Sequence, residues 1–282
     1  MLGRAKDCGR PNAHNLSGYR RRVTSDHREI FAFSGILQSR DDRLTNFDLT
    51  NHAISLTGKN RGQRVCYVPT AVGDSPVAIE AMTSTFATQR PDVDVSVLCL
   101  FNQPSVPDIC EHLLSRDLIL VEGGSVVNLV AVWRAHGLPE VMRECWEAGV
   151  VLAGASAGSL CWHQGGPTDS FGDSLDPFTE GLGFLPFSNG VHDDFDDQPR
   201  RETYRAMIAE GTLSAGYATE DGVGLHYVGT RLHEAVTIRP AARAWWVEAD
   251  GAGGYTERSI VPRVFAALAD DRTFHGLSLI HI

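Results

Sequence analysis

The feature that most constrains this chain is a repeat of form rather than of residues. From residue 29 onward, short apolar runs alternate with stretches of helical character. The runs are "EIFAFSGIL" (29–37), "RVCYVPTA" (64–71), "VDVSVLCLF" (93–101), "DLILVEGG" (117–124) and "VVLAG" (150–154). Between them lie "VAIEAMTSTFATQ", "DICEHLLS", "VVNLVAVWRAHG" and "PEVMRECWEAG", the last two closed by glycine as helices often are. Runs that are apolar at every position, not at alternate ones, fit strands covered on both faces. Alternation with helices fits βαβ crossovers. The expected fold is α/β, a three-layer, largely parallel sheet flanked by helices. The last third changes character: "DGVGLHYVG", "RLHEAVTIRP" and "RAWWVEADG" read as hairpin-joined strands, an antiparallel β-rich C-terminal extension. "LGFLPF" (182–187) also reads as strand-like.

With no obvious linker and no internal repeat, residues 29–265 are expected to form one domain. Residues 1–28 carry Arg4, Lys6, Arg10, Arg20, Arg21, Arg22 and Arg28 against Asp7 and Asp26. They read as a disordered basic tail, with a transit peptide as the alternative; 266–282 read as a C-terminal tail. The N-terminus lacks the apolar core of a secretory signal. No stretch reaches the roughly 18 to 20 apolar residues of a membrane helix. A formal net charge of −10 argues against a general nucleic-acid binder. The six cysteines are scattered without C-x-x-C pairs, as buried free thiols in a reducing, cytoplasmic setting would be.

One turn points to chemistry. Gly154-Ala155-Ser156-Ala157-Gly158 follows an apolar strand and precedes the helix-like "AGSLCWHQ". That is the context a nucleophile elbow requires: small neighbours let the backbone close tightly and lift the serine hydroxyl above the strand end. A tight packing turn would carry the same residues. "LILVEGGSVVNL" places Gly123 and Gly124 at another strand end before a helix. In a parallel sheet both turns share the edge where ligands bind. Gly124 and Ala157 could there supply the backbone N–H groups of an oxyanion hole.

A serine needs a base, and eleven histidines offer candidates. His52 and His112 lack small-residue turns nearby, and His163 on the elbow's helix is expected to point away. His192, in the loop "PFSNGVHDDFDDQPRRE", can reach over the sheet edge. The orienting carboxylate is expected in "ATEDGVGL", where Glu220 and Asp221 stand at a turn entering a strand.

Taken together, "AGASAGSLCW", "EGGSVVNLVAVWRAHG", "PTDSFG" and the His-Asp loop, in that family's order, resemble peptidase E. These are the serine aspartyl dipeptidases, relatives of the cyanophycinases, and the resemblance runs over roughly residues 60 to 250. It implies a fold like that of class I glutamine amidotransferases. It also implies a serine peptidase acting on short peptides, dipeptides with N-terminal Asp above all. Ser156 would be the nucleophile, His192 the base, and Asp221 the acid because the family's acid precedes a glycine, with Glu220 the runner-up. Asp169 in "PTDS" matches an aspartate that assists substrate or histidine placement. The preference for an aspartyl residue implies a cation, for which Arg200, Arg201 and Arg205 are candidates; pairing with the "DDFDD" acids is their alternative role.

The chain departs from the family's pattern in Ser125, where Asn commonly follows the two glycines, in "GVHDD" around the histidine, and in the reduced turn "FSGIL". Competing readings are a cyanophycinase-like peptidase, a catalytically inactive binding relative, and an α/β-hydrolase esterase. The esterase would use His226 or His233 with Asp169 or Asp173. A metal held by His192, Asp193, Asp194, Asp196 and Asp197 matches neither the EF-hand nor the H-E-x-x-H spacing, and neither a metal nor a cofactor is expected. A small peptide is the expected partner, with no nucleic acid and no membrane. Whether the chain forms a homodimer stays open.

Overall fold

The computed structural model describes residues 28–37 and 46–265. The expected tails therefore lie outside the described residues, except Arg28, whose carbonyl accepts the Gly229 N–H at 2.7 Å.

Along the chain run β1 (Glu29–Phe33), α1 (Asn46–Leu56), β2 (Arg64–Val68), α2 (Pro76–Gln89), β3 (Asp94–Val97), α3 (Ile109–Leu114) and β4 (Leu118–Val121). Then follow α4 (Val126–Ala135), α5 (Leu138–Glu147), β5 (Val151–Ala155), α6 (Ala157–Leu160), β6 (Gly166–Thr168), β7 (Asp176–Phe178) and β8 (Ser188–Val191). The chain closes with α7 (Arg200–Ala209), β9 (Gly216–Thr219), β10 (Val223–Val228), β11 (Arg231–Thr237), β12 (Ala244–Ala249), β13 (Tyr255–Ile260) and β14 (Arg263–Val264).

The main sheet has eight strands in the order β14-β11-β10-β1-β5-β4-β2-β3. β1, β5, β4, β2 and β3 run parallel. Their apolar runs are explained by the two cores they divide. Ile30, Ala32, Cys66, Val68, Ile119, Val121 and Leu152 face Trp133 of α4 and Met142 and Trp146 of α5. The alternate residues Phe31, Phe33, Val65, Tyr67, Leu118, Leu120 and Ala153 face Leu49 and Ile54 of α1 and Phe86 of α2. β1, β2, β4 and β5 are thus apolar on both sides, which is the expected three-layer arrangement, whereas β3 at the sheet edge alternates Val95 and Val97 with Asp94 and Ser96. Helix starts are set locally. The Asp108 side chain accepts the Glu111 N–H at 2.9 Å ahead of α3, and Pro76 opens α2.

Strands β10 to β13 pair antiparallel as expected but divide between two sheets, and β14 runs parallel to β11. β10 pairs with β1 and β11 with β10, extending the main sheet. β12 and β13 instead join β9 and β8 in a separate four-stranded sheet of order β13-β12-β9-β8. "LGFLPF" is not a strand. Its Leu182 and Leu185 N–H groups bond the carbonyls of Cys161 and Trp162, and Phe184 packs against Trp146 and Trp162. The helix expected over "AGSLCWHQ" shortens to α6 because those carbonyls are taken this way. The polar α7 and the early α1 were not anticipated.

His163, beyond α6, does point away from the elbow. It is fully buried, with Nδ1 2.8 Å from the Ser159 carbonyl and Nε2 3.4 Å from the Tyr227 hydroxyl. A neutral ring satisfies both contacts, with Nδ1–H donating and Nε2 accepting. Burial lowers its pKa from 6.5 to about 4, with the Ser159 carbonyl acting in the opposite direction. Between those values the unfolded chain binds the proton and the folded one does not. Stability is therefore held above pH 6.5 and falls on acidification by on the order of 1 kcal/mol per pH unit. Urea midpoints measured from pH 8 down to pH about 4.5 should fall along this slope. His163→Gln, which keeps a donor and an acceptor, should make it shallower, leaving the part due to His52, whose pKa burial also lowers to about 4.

Candidate active site

β5 lies between β1 and β4 in the main sheet, and the chain reverses from it into α6 through Ser156. Ser156 has φ 50° and ψ −110°, backbone that an L side chain rarely adopts. The reversal brings segments so close that two positions exclude a side chain. A Cβ on Gly154 would lie 2.3 Å from the Gly158 carbonyl oxygen, and one on Gly158 would lie 2.5 Å from that of Val121. The strained residue is pinned on both sides. Its N–H donates to the Phe33 carbonyl at 3.0 Å, and its carbonyl accepts the Leu160 N–H at 2.9 Å. Ser156 is half-buried while the residues around it in 151–163 are buried.

The turn after β4 stands beside it. A Cβ on Gly123 would approach the Ser156 Cβ to 3.3 Å. Gly124, at φ 129°, passes so near Ala71 that a Cβ would sit 2.5 Å from its carbonyl oxygen. The Gly123 N–H is held by Glu122 Oε1 at 3.0 Å. Ala157 opens α6, so its N–H has no acceptor within that helix. Ser125, one of the departures noted above, caps α4 by accepting the Asn128 N–H at 3.2 Å. Ser and Asn are comparable N-caps, so that substitution keeps the local function.

His192 follows β8 directly and also has a positive φ, 58°. Its Nε2 is 2.9 Å from Ser156 Oγ and its Nδ1 is 2.5 Å from Asp221 Oδ1. A carboxylate only accepts, so Nδ1 carries the proton and Nε2 accepts from the hydroxyl. Both His192 and Asp221 are almost fully buried. The second carboxylate oxygen of Asp221 accepts the Leu37 N–H at 2.7 Å, and the Asp221 N–H donates to Asp194 Oδ1 at 2.7 Å. The His192 N–H donates to Ser34 Oγ at 3.2 Å, and that hydroxyl lies 2.9 Å from the Thr219 carbonyl and 2.7 Å from its Oγ1. A buried acid, an imidazole and a solvent-reachable hydroxyl in this order can pass a proton from hydroxyl to ring.

The other sequence candidates fall elsewhere. Glu220 turns away from His192 and accepts from Arg201 Nη2 at 3.0 Å and from the Arg243 N–H at 2.9 Å. Burial raises its pKa. Arg201 is further held by Asp193 at 3.0 Å and lies over the Trp245 ring. Arg205 bonds both Asp193 oxygens and Glu257. Both arginines are thus engaged by acids away from Ser156. Asp193 is itself pushed up by burial, opposed by Arg205 and Arg201. Asp169 bonds Arg200 Nη2 at 2.9 Å and Gln198 Nε2 at 3.2 Å. Arg200 is buried with its Nε unpartnered; desolvation lowers its pKa, while Asp169 and Asp221 act in the opposite direction. The adjoining Ser170 Oγ accepts the Val126 N–H at 3.1 Å, which brings this pair to the start of α4, next to the glycine turn.

His226 sits on Glu29 at 3.0 Å and packs edge-on to His233, so neither supplies the base that an esterase order would need. Among the described residues no group of three His, Cys, Asp or Glu could hold a metal ion. The described cysteines, Cys66, Cys99, Cys110, Cys145 and Cys161, are free thiols. No described helix is long and apolar enough to cross a membrane.

The model of peptidase family S51 matches residues 32–235. The uncharacterized peptidase YgaJ of Bacillus subtilis (strain 168) is 39% identical over 191 residues, 67% of this chain and 80% of that protein. A peptidase from an acI-B1 Actinobacterium has the same fold, with a TM-score of 0.60 at 17% identity over 83% of this chain and 94% of its own. A Listeria monocytogenes EGD-e protein bearing the peptidase E name gives 0.54 at 19% identity, over 75% and 98% respectively.

Ser34 was not singled out in the sequence, yet it receives the backbone of His192 and contacts Thr219 in a fully buried position. Ser34→Ala strands the His192 N–H, and chemical denaturation should register a loss of about 1–3 kcal/mol.

Proposed function

The chain belongs to peptidase family S51 and is a peptidase, and from that premise we propose that it is a serine-type enzyme cleaving short peptides, chiefly dipeptides with an N-terminal aspartyl residue. The observation that carries this reading is the hydrogen-bonded line Asp221–His192–Ser156. Ser156 Oγ attacks the peptide carbonyl while His192 Nε2 takes its proton. The resulting oxyanion is received by the N–H groups of Ala157 and Gly124. His192 then gives the proton to the departing amine, leaving an acyl-enzyme. A water molecule repeats the sequence, His192 accepting its proton, to release the acid and restore the hydroxyl. Asp221 keeps the Nδ1–H tautomer and orients the ring.

The aspartyl preference rests on Arg200 and Asp169. Arg200 is buried with an unused N–H donor, and a guanidinium is suited to bidentate pairing with a carboxylate. Asp169 beside it is 43% exposed at its side chain and could meet the substrate's ammonium. Arg201, held by Asp193, Glu220 and Trp245, is the weaker candidate.

Release of free aspartate from Asp-X dipeptides tests the reading. Ser156→Ala should abolish it with circular dichroism unchanged. Asp221→Asn, which favours the wrong tautomer, should lower kcat by about 10⁴-fold. A chelator should leave the rate intact, and Arg200→Gln should raise KM for Asp-X more than for Ala-X. Activity that survives in Ser156→Ala sinks the proposal.

A further inference from the structure

Asp221 stands where the chain changes sheets. β9 ends at Thr219 in the four-stranded sheet and β10 begins at Val223 in the eight-stranded one. The short link between them must hold a carboxylate within hydrogen-bond reach of an imidazole carried by a different loop. We propose that Asp194 and Arg239 form a clamp that positions Asp221 for this task, a role that rests on the catalytic reading of Ser156, His192 and Asp221 given above.

The clamp grips the backbone of Asp221 at both polar groups. The Asp221 N–H donates to Asp194 Oδ1 at 2.7 Å. Arg239 Nη1 donates to the Asp221 carbonyl at 2.9 Å and to Asp194 Oδ2 at 2.7 Å, closing a ring of three residues. The Arg239 stem runs over the next residue, where a Cβ on Gly222 would come within 3.0 Å of its Cδ.

The attachments give the clamp its meaning. Asp194 lies on the same loop as His192, two residues on, so one loop holds the ring of His192 and the backbone of its acid together. Arg239 follows β11, whose Thr237 hydroxyl donates to the Gly222 carbonyl at 3.0 Å. The loop from the four-stranded sheet and the end of a main-sheet strand therefore meet on the successive peptide units around Asp221. The charge arrangement matters too. Asp194 places an anion beside Asp221, and Arg239 neutralises it. A hydrogen bond between charged partners is stronger than a neutral one, which suits a contact that must fix a position. The pair is neither deeply buried nor free in solvent, with side chains 24% and 23% exposed. It borders a cavity of about 750 Å³ also lined by Asp196, Glu202 and Glu220 rather than by Ser156. Neither side chain touches the reacting atoms, so the clamp acts through Asp221 alone.

Three variants test this in the full-length protein: Asp194→Ala, Asp194→Asn and Arg239→Gln. The readouts are kcat and KM on the peptide that wild type cleaves, thermal stability, and the low-field proton signal of the His192 Nδ1–H. That signal is identified by its absence in His192→Gln. Asp194→Ala and Arg239→Gln should lower kcat roughly 10- to 100-fold with KM within about twofold, since a small misplacement of a catalytic group costs that much. The low-field signal should broaden or vanish. Asp194→Asn keeps an acceptor for the Asp221 N–H and should recover part of both. Should Asp194→Ala fail to fold, the other two variants carry the same readouts. An unchanged kcat with an intact signal overturns the clamp, and so does a loss of activity that merely follows the unfolded fraction. Because the proton signal needs no turnover, a clamp that fails is distinguishable from a serine mechanism that fails. The latter shows itself as undiminished activity in Ser156→Ala.

Discussion

The hydrogen bond between Ser156 Oγ and His192 Nε2, 2.9 Å long, joins two sheets that share no strand pairing. Ser156 rides on β5 in the main sheet and His192 on β8 in the smaller one. A slide of one sheet on the other would open this contact and shear the core they share, where Val191 of β8 and Ala244 of β12 are clustered with Ile30 and Leu152 of the main sheet. Several cross-sheet bonds therefore converge on the same few residues. Ser34, at the end of β1, takes the His192 N–H and meets Thr219 at the end of β9. The Gly35 carbonyl takes the Gly222 N–H, and Leu37 gives its N–H to Asp221. The segment leaving β1 thus ties together both ends of the small sheet's loops, which makes the first strand a structural partner of the last component of the site.

The acid-rich loop after His192 distributes its charges with the same economy. Its three successive residues face three ways: His192 to Ser156 and Asp221, Asp193 to Arg205 and Arg201, and Asp194 to Arg239 and the Asp221 N–H. Burying Asp193 costs desolvation, and Arg205 and Arg201 of α7 offset it with a two-oxygen contact and a charge stacked on Trp245. Through these residues the helix that follows also meets Trp245 of β12 and Glu257 of β13. An acidic run that looks like a solvated face in the sequence is, at its first two carboxylates, an anchor.

What the sequence disclosed and what it hid follow from the range of the interactions. The elbow was legible because part of its requirement is local: Gly154 must be small because the chain folds straight back onto Gly158, while Gly158 is kept small by Val121 of the neighbouring strand. The parallel sheet was legible because burial on both faces leaves no alternation to read. The choice between Glu220 and Asp221 was not, since neighbours at a turn differ only in which way the backbone aims them. Here one aims at His192 and the other at Arg201. Ser34 and Arg239 carried no local mark, because their partners lie far along the chain; His192 and Ser34 are 158 positions apart. "LGFLPF" misled in the opposite sense. Its apolar residues do fill the core, against Trp146 and Trp162, but their N–H groups close onto the turns after α6 rather than onto a strand.

Strain sharpens the same point. Among the described residues, the positive-φ positions that are not glycine are Asp74, Asn102, Ser156 and His192. Asp and Asn tolerate that conformation because their short polar side chains bond locally, and His enters it more readily than most; Ser has less to gain from it. Both strained site residues come directly after a strand, and each is held from both sides. Ser156 is bonded to Phe33 and Leu160, and His192 to Ser34 and, through its carbonyl, to the Phe195 N–H. Strained backbone of this kind costs on the order of 1–3 kcal/mol and persists only where the surroundings over-determine it. A regular extended φ at either residue would continue the strand and turn its side chain to a face of its own sheet. The two strained turns are thus one device, each bending a strand end toward the other so that hydroxyl and imidazole meet while the sheets stay apart.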